Sequence, residues 1–207
     1  MSRKQWIQII LINVFITLII LSPFLPGPNS FSKITNTIHT IAQLIGIVTI
    51  ITIPVSIIIT IRKGIRKQKI SLYMLLSWII PIIIFCVSIY GSYPARNFSR
   101  KIAIDHATPV IEAIEGYYQV HKKYPNQLSE LVPGFLSKIP ATGIMGISTY
   151  EYERRENSFA IIFSQNVILG FNKEIVSYDP RYHYSSDDEA NQVFPAGNDK
   201  WQYYILD

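Results

Sequence analysis

The sequence is poor in cysteine and, through its first half, has no acidic residue. Cys86 is the only cysteine among 207 residues, so an intrachain disulfide is excluded. Its apolar neighbours indicate a small lipid- or helix-facing side chain. No Asp or Glu precedes Asp105, so the net charge of +5 comes from a basic, strongly apolar first half. A basic balance of this origin is no sign of nucleic-acid binding, and we expect none.

Three apolar runs are long enough to cross a bilayer, which requires about 20 mainly apolar residues. They cover about 6–25, 41–61 and 70–90, and we predict three transmembrane helices within an anchor of residues 1–90. None of the runs contains Asp, Glu, Lys or Arg. Because ion and proton pathways usually carry such a residue, a transporter or channel is disfavoured.

The basic residues predict the orientation of these helices, since Lys and Arg accumulate on the cytoplasmic side. Arg3 and Lys4 precede the first run, and five further cations lie in the short loop 62–69 between the second and third runs. We therefore expect a cytoplasmic N-terminus, and everything after Tyr90 on the outer side of the membrane.

The second apolar run carries a face of small and hydroxyl residues. At 100° per residue one narrow sector contains Gly46, Thr49, Thr52, Ser56 and Thr60. Such residues let helices approach closely and form hydrogen bonds to each other. We favour packing against the other two spans over docking of a partner's membrane helix by about two to one.

From Gly91 the composition changes to that of a water-soluble domain, residues 91–207. Gly91, Pro94 and Asn97 predict a short break between two helices, with Ser99 as the N-cap of the second helix. Apolar residues then recur at helical spacing and predict an amphipathic helix over about 100–121.

Downstream segments alternate as strands do. TYEYER places Tyr150 and Tyr152 on one face and Glu151 and Glu153 on the other, and SFAIIFS follows across a hairpin. EIVSYD and WQYYILD add strands, NVILGF is a further strand or the end of the second, and NQLSELVPGFL predicts a short helix. The predicted fold class is three transmembrane helices followed by an α+β domain, in which a long amphipathic helix packs on an antiparallel sheet.

This order of elements resembles that of type IV pilins and pseudopilins. Residues 111–140, IEAIEGYYQVHKKYPNQLSELVPGFLSKIP, are similar to the region after the first helix of type II secretion major pseudopilins. In those proteins the helix ends in a Tyr, the dipeptide YP follows, and the pattern L..L.P..L...P comes next. The resemblance covers about 103–140, with the later strands in compatible order. It implies a pilin-like domain over about 100–207, on the periplasmic face of a bacterial inner membrane.

The same resemblance implies a calcium site, because major pseudopilins bind calcium in the loop before their last strand. Asp187, Asp188 and Glu189 lie in roughly that place. Three consecutive acidic residues cannot all point towards one ion, so we favour a solvated loop by about five to one.

A second candidate is an aromatic segment with a turn-like composition. Tyr side chains next to Arg are typical of recognition patches, and Arg181, Tyr182, His183 and Tyr184 combine them. A loop fastened to the sheet is an equally good interpretation. The sequence contains no recognisable metal, nucleotide or hydrolase motif, so we expect neither a cofactor nor catalysis.

These observations predict a non-enzymatic membrane protein that presents a pseudopilin-like domain to protein partners. It would serve as an accessory of a secretion or surface-assembly complex, and its partners would be the lipid bilayer together with membrane helices or with filament or secretion components. The alternative is an immunity- or inhibitor-type membrane protein whose outer domain binds one specific target, since small Ile-rich proteins with several spans are often of that kind.

Overall fold

The computed structural model describes residues 3–50, 52–69, 71–183, 185, 188, 191–197 and 200–206. Its α-helices are α1 (Arg3–Ile20), α2 (Ser32–Thr49), α3 (Thr52–Ile65), α4 (Leu72–Cys86) and α5 (Ser92–His121). Short 3-10 turns occupy Ser22–Phe24, Asn29–Phe31 and Leu128–Leu131, and a π-helical turn occupies Val87–Gly91. The helix predicted in NQLSELVPGFL is thus reduced to a 3-10 turn of four residues.

Among the described residues, two helices are long and apolar enough to cross a membrane, namely α1 and the continuous helix Leu72–His121. The predicted span 41–61 is not shown as a single helix, because it falls on α2 and α3, which are bent by 58° relative to each other. The pair makes a third candidate span only if both helices cross together.

The break predicted at 91–97 is also wrong, because the chain continues as a helix from Leu72 to His121 over 50 residues, about 75 Å. The π-helical turn precedes Pro94, where the proline ring would otherwise meet the carbonyl of Tyr90. Ser99 is not an N-cap: it is buried inside α5, and its hydroxyl donates to the carbonyl of Arg96.

The C-terminal part of the chain forms an antiparallel sheet, as predicted, and this sheet has five strands among the described residues. The strands are β1 (Glu151–Arg154), β2 (Phe159–Asn166), β3 (Lys173–Tyr178), β4 (Phe194–Pro195) and β5 (Trp201–Leu206), in the order β1-β2-β3-β5-β4. The sequence did not predict β4. NVILGF is not a further strand, since β2 ends at Asn166 and a turn follows.

The core lies between α5 and one face of the sheet. Small residues on α5, Ala103 and Ala107, are fully buried and allow the helix to approach the aromatic side chains of the strands. Ile114 is fully buried, as its helical spacing predicts, and Trp201 of β5 packs against Phe163 of β2 with ring centroids 5.9 Å apart.

Candidate functional site

β1 forms one edge of the sheet, and its outer side faces no other strand among the described residues. β1 pairs only with β2, and the hairpin between them places Arg155 N–H on the carbonyl of Ser158 at 2.9 Å. Residues of an antiparallel strand alternate between those whose backbone N–H and C=O bond to the neighbouring strand and those whose groups point away from it. The backbone groups of Glu153 therefore face β2, as those of Arg155 do, whereas the backbone groups of Tyr152 and Arg154 face away from β2. Within the described part of the chain, no backbone hydrogen bond reaches these outward groups.

A groove of about 670 Å³ runs beside this edge. Asn29 and Asn126 both line it; the Asn29 side chain donates to the carbonyl of Ser148, and Asn126 accepts from Arg154. The rest of the lining is mixed, with apolar Leu128, Ile139, Pro140 and Ala141 beside polar Gln127 and Thr149 and the rings of Tyr150 and Tyr152. We call this feature, together with the outward backbone of Tyr152 and Arg154, the β1 groove.

The floor of the β1 groove is held in place by hydrogen bonds. Tyr152 Oη donates to the carbonyl of Pro125 at 2.7 Å, and Glu130 Oε1 accepts from the Asn126 N–H at 3.2 Å. Glu130 also accepts from Tyr117 Oη at 3.1 Å. Although partial desolvation opposes the shift, these hydrogen bonds lower the pKa of Glu130. The carboxylate is therefore ionised near neutral pH, and it fixes the loop that carries Asn126.

The opposite edge of the sheet is partly covered. β4 has only two residues, and it lies beside Gln202 and Tyr203 of β5. Pro195 of β4 has no N–H to offer to another strand, and a short edge strand with proline is a common protection against further pairing. The two edges therefore differ, because β1 exposes its whole length whereas β4 covers the first half of β5.

A buried ionic cluster joins α5 to the sheet. Glu174 is 1% exposed; its carboxylate lies 2.9 Å from Arg96 Nε and 3.1 Å from Arg100 Nη1. Gln165 Nε2 donates to the same carboxylate at 2.8 Å, and the Arg100 guanidinium lies 3.7 Å from the centroid of the Tyr203 ring. Its three charged groups pair with one another, although Arg100 Nη1 makes no hydrogen bond within the described part of the chain. Such a buried set of ion pairs connects the helix to the sheet.

A second connection joins the segment between α1 and α2 to the C-terminal part. Residues 23–27 run beside residues 143–146, with Gly146 N–H donating to the Pro23 carbonyl at 2.8 Å and Met145 N–H to the Leu25 carbonyl at 3.0 Å. Asn36 of α2 donates to the carbonyl of Gly146 at 2.8 Å. We call these paired segments the clasp; they tie the apolar helices to the sheet-bearing part.

Gln43 of α2 extends this connection. It is fully buried, and its amide nitrogen lies 3.1 Å from the carbonyls of Ser88 and Val167. Its amide oxygen accepts from the N–H of Leu169 at 2.6 Å. One side chain thus bonds to the π-helical turn and to the turn after β2, although the sequence placed it within an apolar membrane span.

The proposed recognition patch lies beside the β1–β2 hairpin. Asp179 accepts hydrogen bonds from Ser158 Oγ and from the N–H of Arg181, both at 2.9 Å, and its carboxylate pairs with Arg155. Arg181 and His183 are exposed and Tyr182 is half-buried, while Tyr184 lies outside the described residues. The first part of the segment is therefore fastened to the hairpin, and its role in recognition stays a prediction.

The calcium candidates are only partly described. Asp187 and Glu189 lie outside the described residues. Asp188 accepts from the N–H of Ser185 at 2.7 Å, a bond that lowers the pKa of its carboxyl group. No group of three metal-binding side chains occurs among the residues that the structure describes.

The small-residue face is divided between two helices. Gly46 and Thr49 belong to α2, whereas Thr52, Ser56 and Thr60 belong to α3. A methyl group on Gly46 would lie 3.1 Å from Phe85 Cα, so α2 and α4 are in close backbone contact there. Thr60 is buried and donates to the carbonyl of Ser56 at 2.8 Å.

Comparison with protein-family models, curated proteins and solved structures finds no match for this chain. The likeness to pseudopilins in residues 103–140 therefore stays a prediction.

The sequence did not point to the β1 groove or to the ionic cluster. Alternation at Tyr150 and Tyr152 identifies a strand but not its position at an edge. Arg96 and Glu174 are 78 residues apart and share no motif, so only the folded chain brings them together.

Proposed function

We propose that this chain is a non-enzymatic membrane protein whose sheet-bearing part is a pilin-like interaction domain on the outer face of a bacterial inner membrane. The β1 groove supports this proposal most directly, because an open strand edge beside a groove with apolar residues is a common site of protein recognition. The clasp and the continuous helix Leu72–His121 suit such a role, since they hold the domain in a set orientation on its membrane helices.

The distribution of charge supports the proposed orientation. α1 runs from Arg3 towards the clasp, and α4 runs from Leu72 towards α5, so both helices approach the sheet-bearing part at their C-terminal ends. Arg3, Lys4 and the basic loop 62–69 therefore lie at the opposite end, where cytoplasmic residues of a membrane protein are expected.

Cysteine accessibility tests the orientation. In a Cys86→Ala background, Ser185→Cys should react with an impermeant thiol reagent in spheroplasts, and Gly64→Cys should react only after permeabilisation. Both positions are exposed, so burial does not account for a difference between them. The reverse labelling pattern would overturn the proposed orientation.

Site-specific photo-crosslinking in native membranes tests the interaction role. A photoreactive residue at exposed positions, among them Gln127 and Thr149 in the groove and Glu112 on α5, should give discrete adducts with another protein from at least one of them. Mass spectrometry of the adducts identifies the partner. If every position in the sheet-bearing part gives only the uncrosslinked chain, the interaction role is wrong.

A further inference from the structure

We propose that the β1 groove binds an extended segment of a partner protein, which adds to the sheet as a sixth strand and alternates apolar with basic side chains. This inference rests on the proposed interaction role and names the chemistry of the partner. Three features support it: the open backbone of β1, the apolar residues within the groove lining and the charges on the other face of β1.

The open backbone sets the conformation of the partner. Tyr152 and Arg154 each present an N–H and a carbonyl away from β2, with the spacing of a strand. A helix cannot satisfy such a row of donors and acceptors, whereas an extended segment satisfies all of them. β1 has four residues and is about 13 Å long at 3.3 Å per residue, which is enough for about four residues of a partner.

The groove sets the side chains on one face of that segment. Tyr150 and Tyr152 point to the core face of the sheet, where Leu128, Ile139 and Pro140 continue the apolar surface beyond β1. Every second side chain of an added strand would enter this space, because side chains alternate between the two faces. Apolar residues of moderate size fit against these three side chains, since their burial there is favourable, whereas Asn126, Gln127 and Thr149 keep another part of the lining polar.

The charges of β1 set the side chains on the opposite face. Glu151 and Glu153 are exposed there, and Arg155 pairs with Glu153 at 3.2 Å. Glu151 makes no ion pair within the described part of the chain. A basic residue of the added strand beside Glu151 would form a favourable cross-strand pair.

The same charges argue against a second copy of this chain as the occupant. Two β1 strands paired across a two-fold axis would bring their glutamates towards each other, and like charges on neighbouring strands are destabilising. β4 offers no alternative, because it is short and contains Pro195. The favoured occupant is therefore a segment of a different protein.

The test uses the full-length protein in lipid nanodiscs and a displayed library of random twelve-residue peptides. Enriched peptides should alternate apolar with basic residues, and the bound peptide should slow hydrogen exchange at the amides of Tyr152 and Arg154. Arg154→Pro removes one outward N–H without removing a bond to β2, a placement of proline that edge strands tolerate. Arg154→Ala removes the same side-chain bond to Asn126 and keeps the N–H. Arg154→Pro should bind the peptides at least tenfold more weakly than Arg154→Ala, with near-UV circular dichroism as the check on folding.

A charge-reversal variant provides the second measurement. Glu151→Lys should shift the selection from basic towards acidic peptides, because only the side chain on the solvent face changes. The inference is overturned if no sequence is enriched, if Arg154→Pro binds as well as Arg154→Ala, or if exchange slows elsewhere. Photo-crosslinks that arise only away from Gln127 and Thr149 would also overturn it while leaving the interaction role intact.

Discussion

Replacement of Glu174 by alanine should strongly destabilise the sheet-bearing part of the protein. The carboxylate is 1% exposed and compensates two guanidinium groups, those of Arg96 and Arg100, which are 6% and 9% exposed. Without it, both cations stay buried and Gln165 loses an acceptor at 2.8 Å. Removal of one partner from a buried ion pair costs about 3–5 kcal/mol, a large share of a typical stability of about 5–15 kcal/mol.

Urea titration in detergent micelles, followed by hydrogen exchange of the β2 and β3 amides, measures this loss where it occurs. Glu174→Gln keeps one acceptor oxygen but loses the charge, and it should cost about 1.5–3 kcal/mol, the contribution of a hydrogen bond to a charged group. Glu112→Gln, on the exposed side of α5, is the matched control and should stay within about 0.5 kcal/mol of the parent protein. A Glu174→Ala variant within about 1 kcal/mol of the parent would show that the cluster does not hold α5 on the sheet.

Three further predictions concern the clasp, the β1 groove and the apolar helices. Gly146→Ala would place a methyl group 2.7 Å from Pro23 Cβ and against the Pro23 backbone. The clasp should therefore open, and proteolysis of residues 22–28 should become faster. An unchanged cleavage rate would contradict this prediction. Burial raises the pKa of Tyr152 to about 12, above the value of about 10 in an unfolded chain, so the folded protein binds the phenolic proton more tightly. That stabilisation is complete below about pH 10 and is lost between about pH 10 and pH 12. In Tyr152→Phe, the free energy of unfolding should therefore fall less steeply with pH in this window, as measured by near-UV circular dichroism. An unaltered pH profile would refute this prediction. Gly46→Val should separate α2 from α4, since even a methyl group at this position would lie 3.1 Å from Phe85 Cα. The thermal unfolding midpoint in micelles should therefore fall. An unchanged midpoint would mean that the two helices are not in close contact.

Local patterns predicted most of the regular elements. Alternation at Tyr150 and Tyr152 marked β1, since one face of a half-buried strand is apolar and the other is polar. Helical spacing along 103–114 marked the buried face of α5, where Ala107 and Ile114 are fully buried. The same rules failed at 91–97, where a π-helical turn and burial of Arg96 and Ser99 override the local preference of Gly and Pro for a break.

The sequence by itself determined the apolar helices, the concentration of basic charge before residue 70 and an antiparallel sheet, because these depend on composition and on periodicities of a few residues. Only the tertiary structure decided which strand lies at the open edge, which groups pair with Glu174 and how the clasp joins residues 23–27 to 143–146. Such contacts link residues about a hundred positions apart, and their energy depends on burial and on which groups meet. A local sequence pattern does not show which distant groups meet, so the β1 groove could be identified only once the strand order was known.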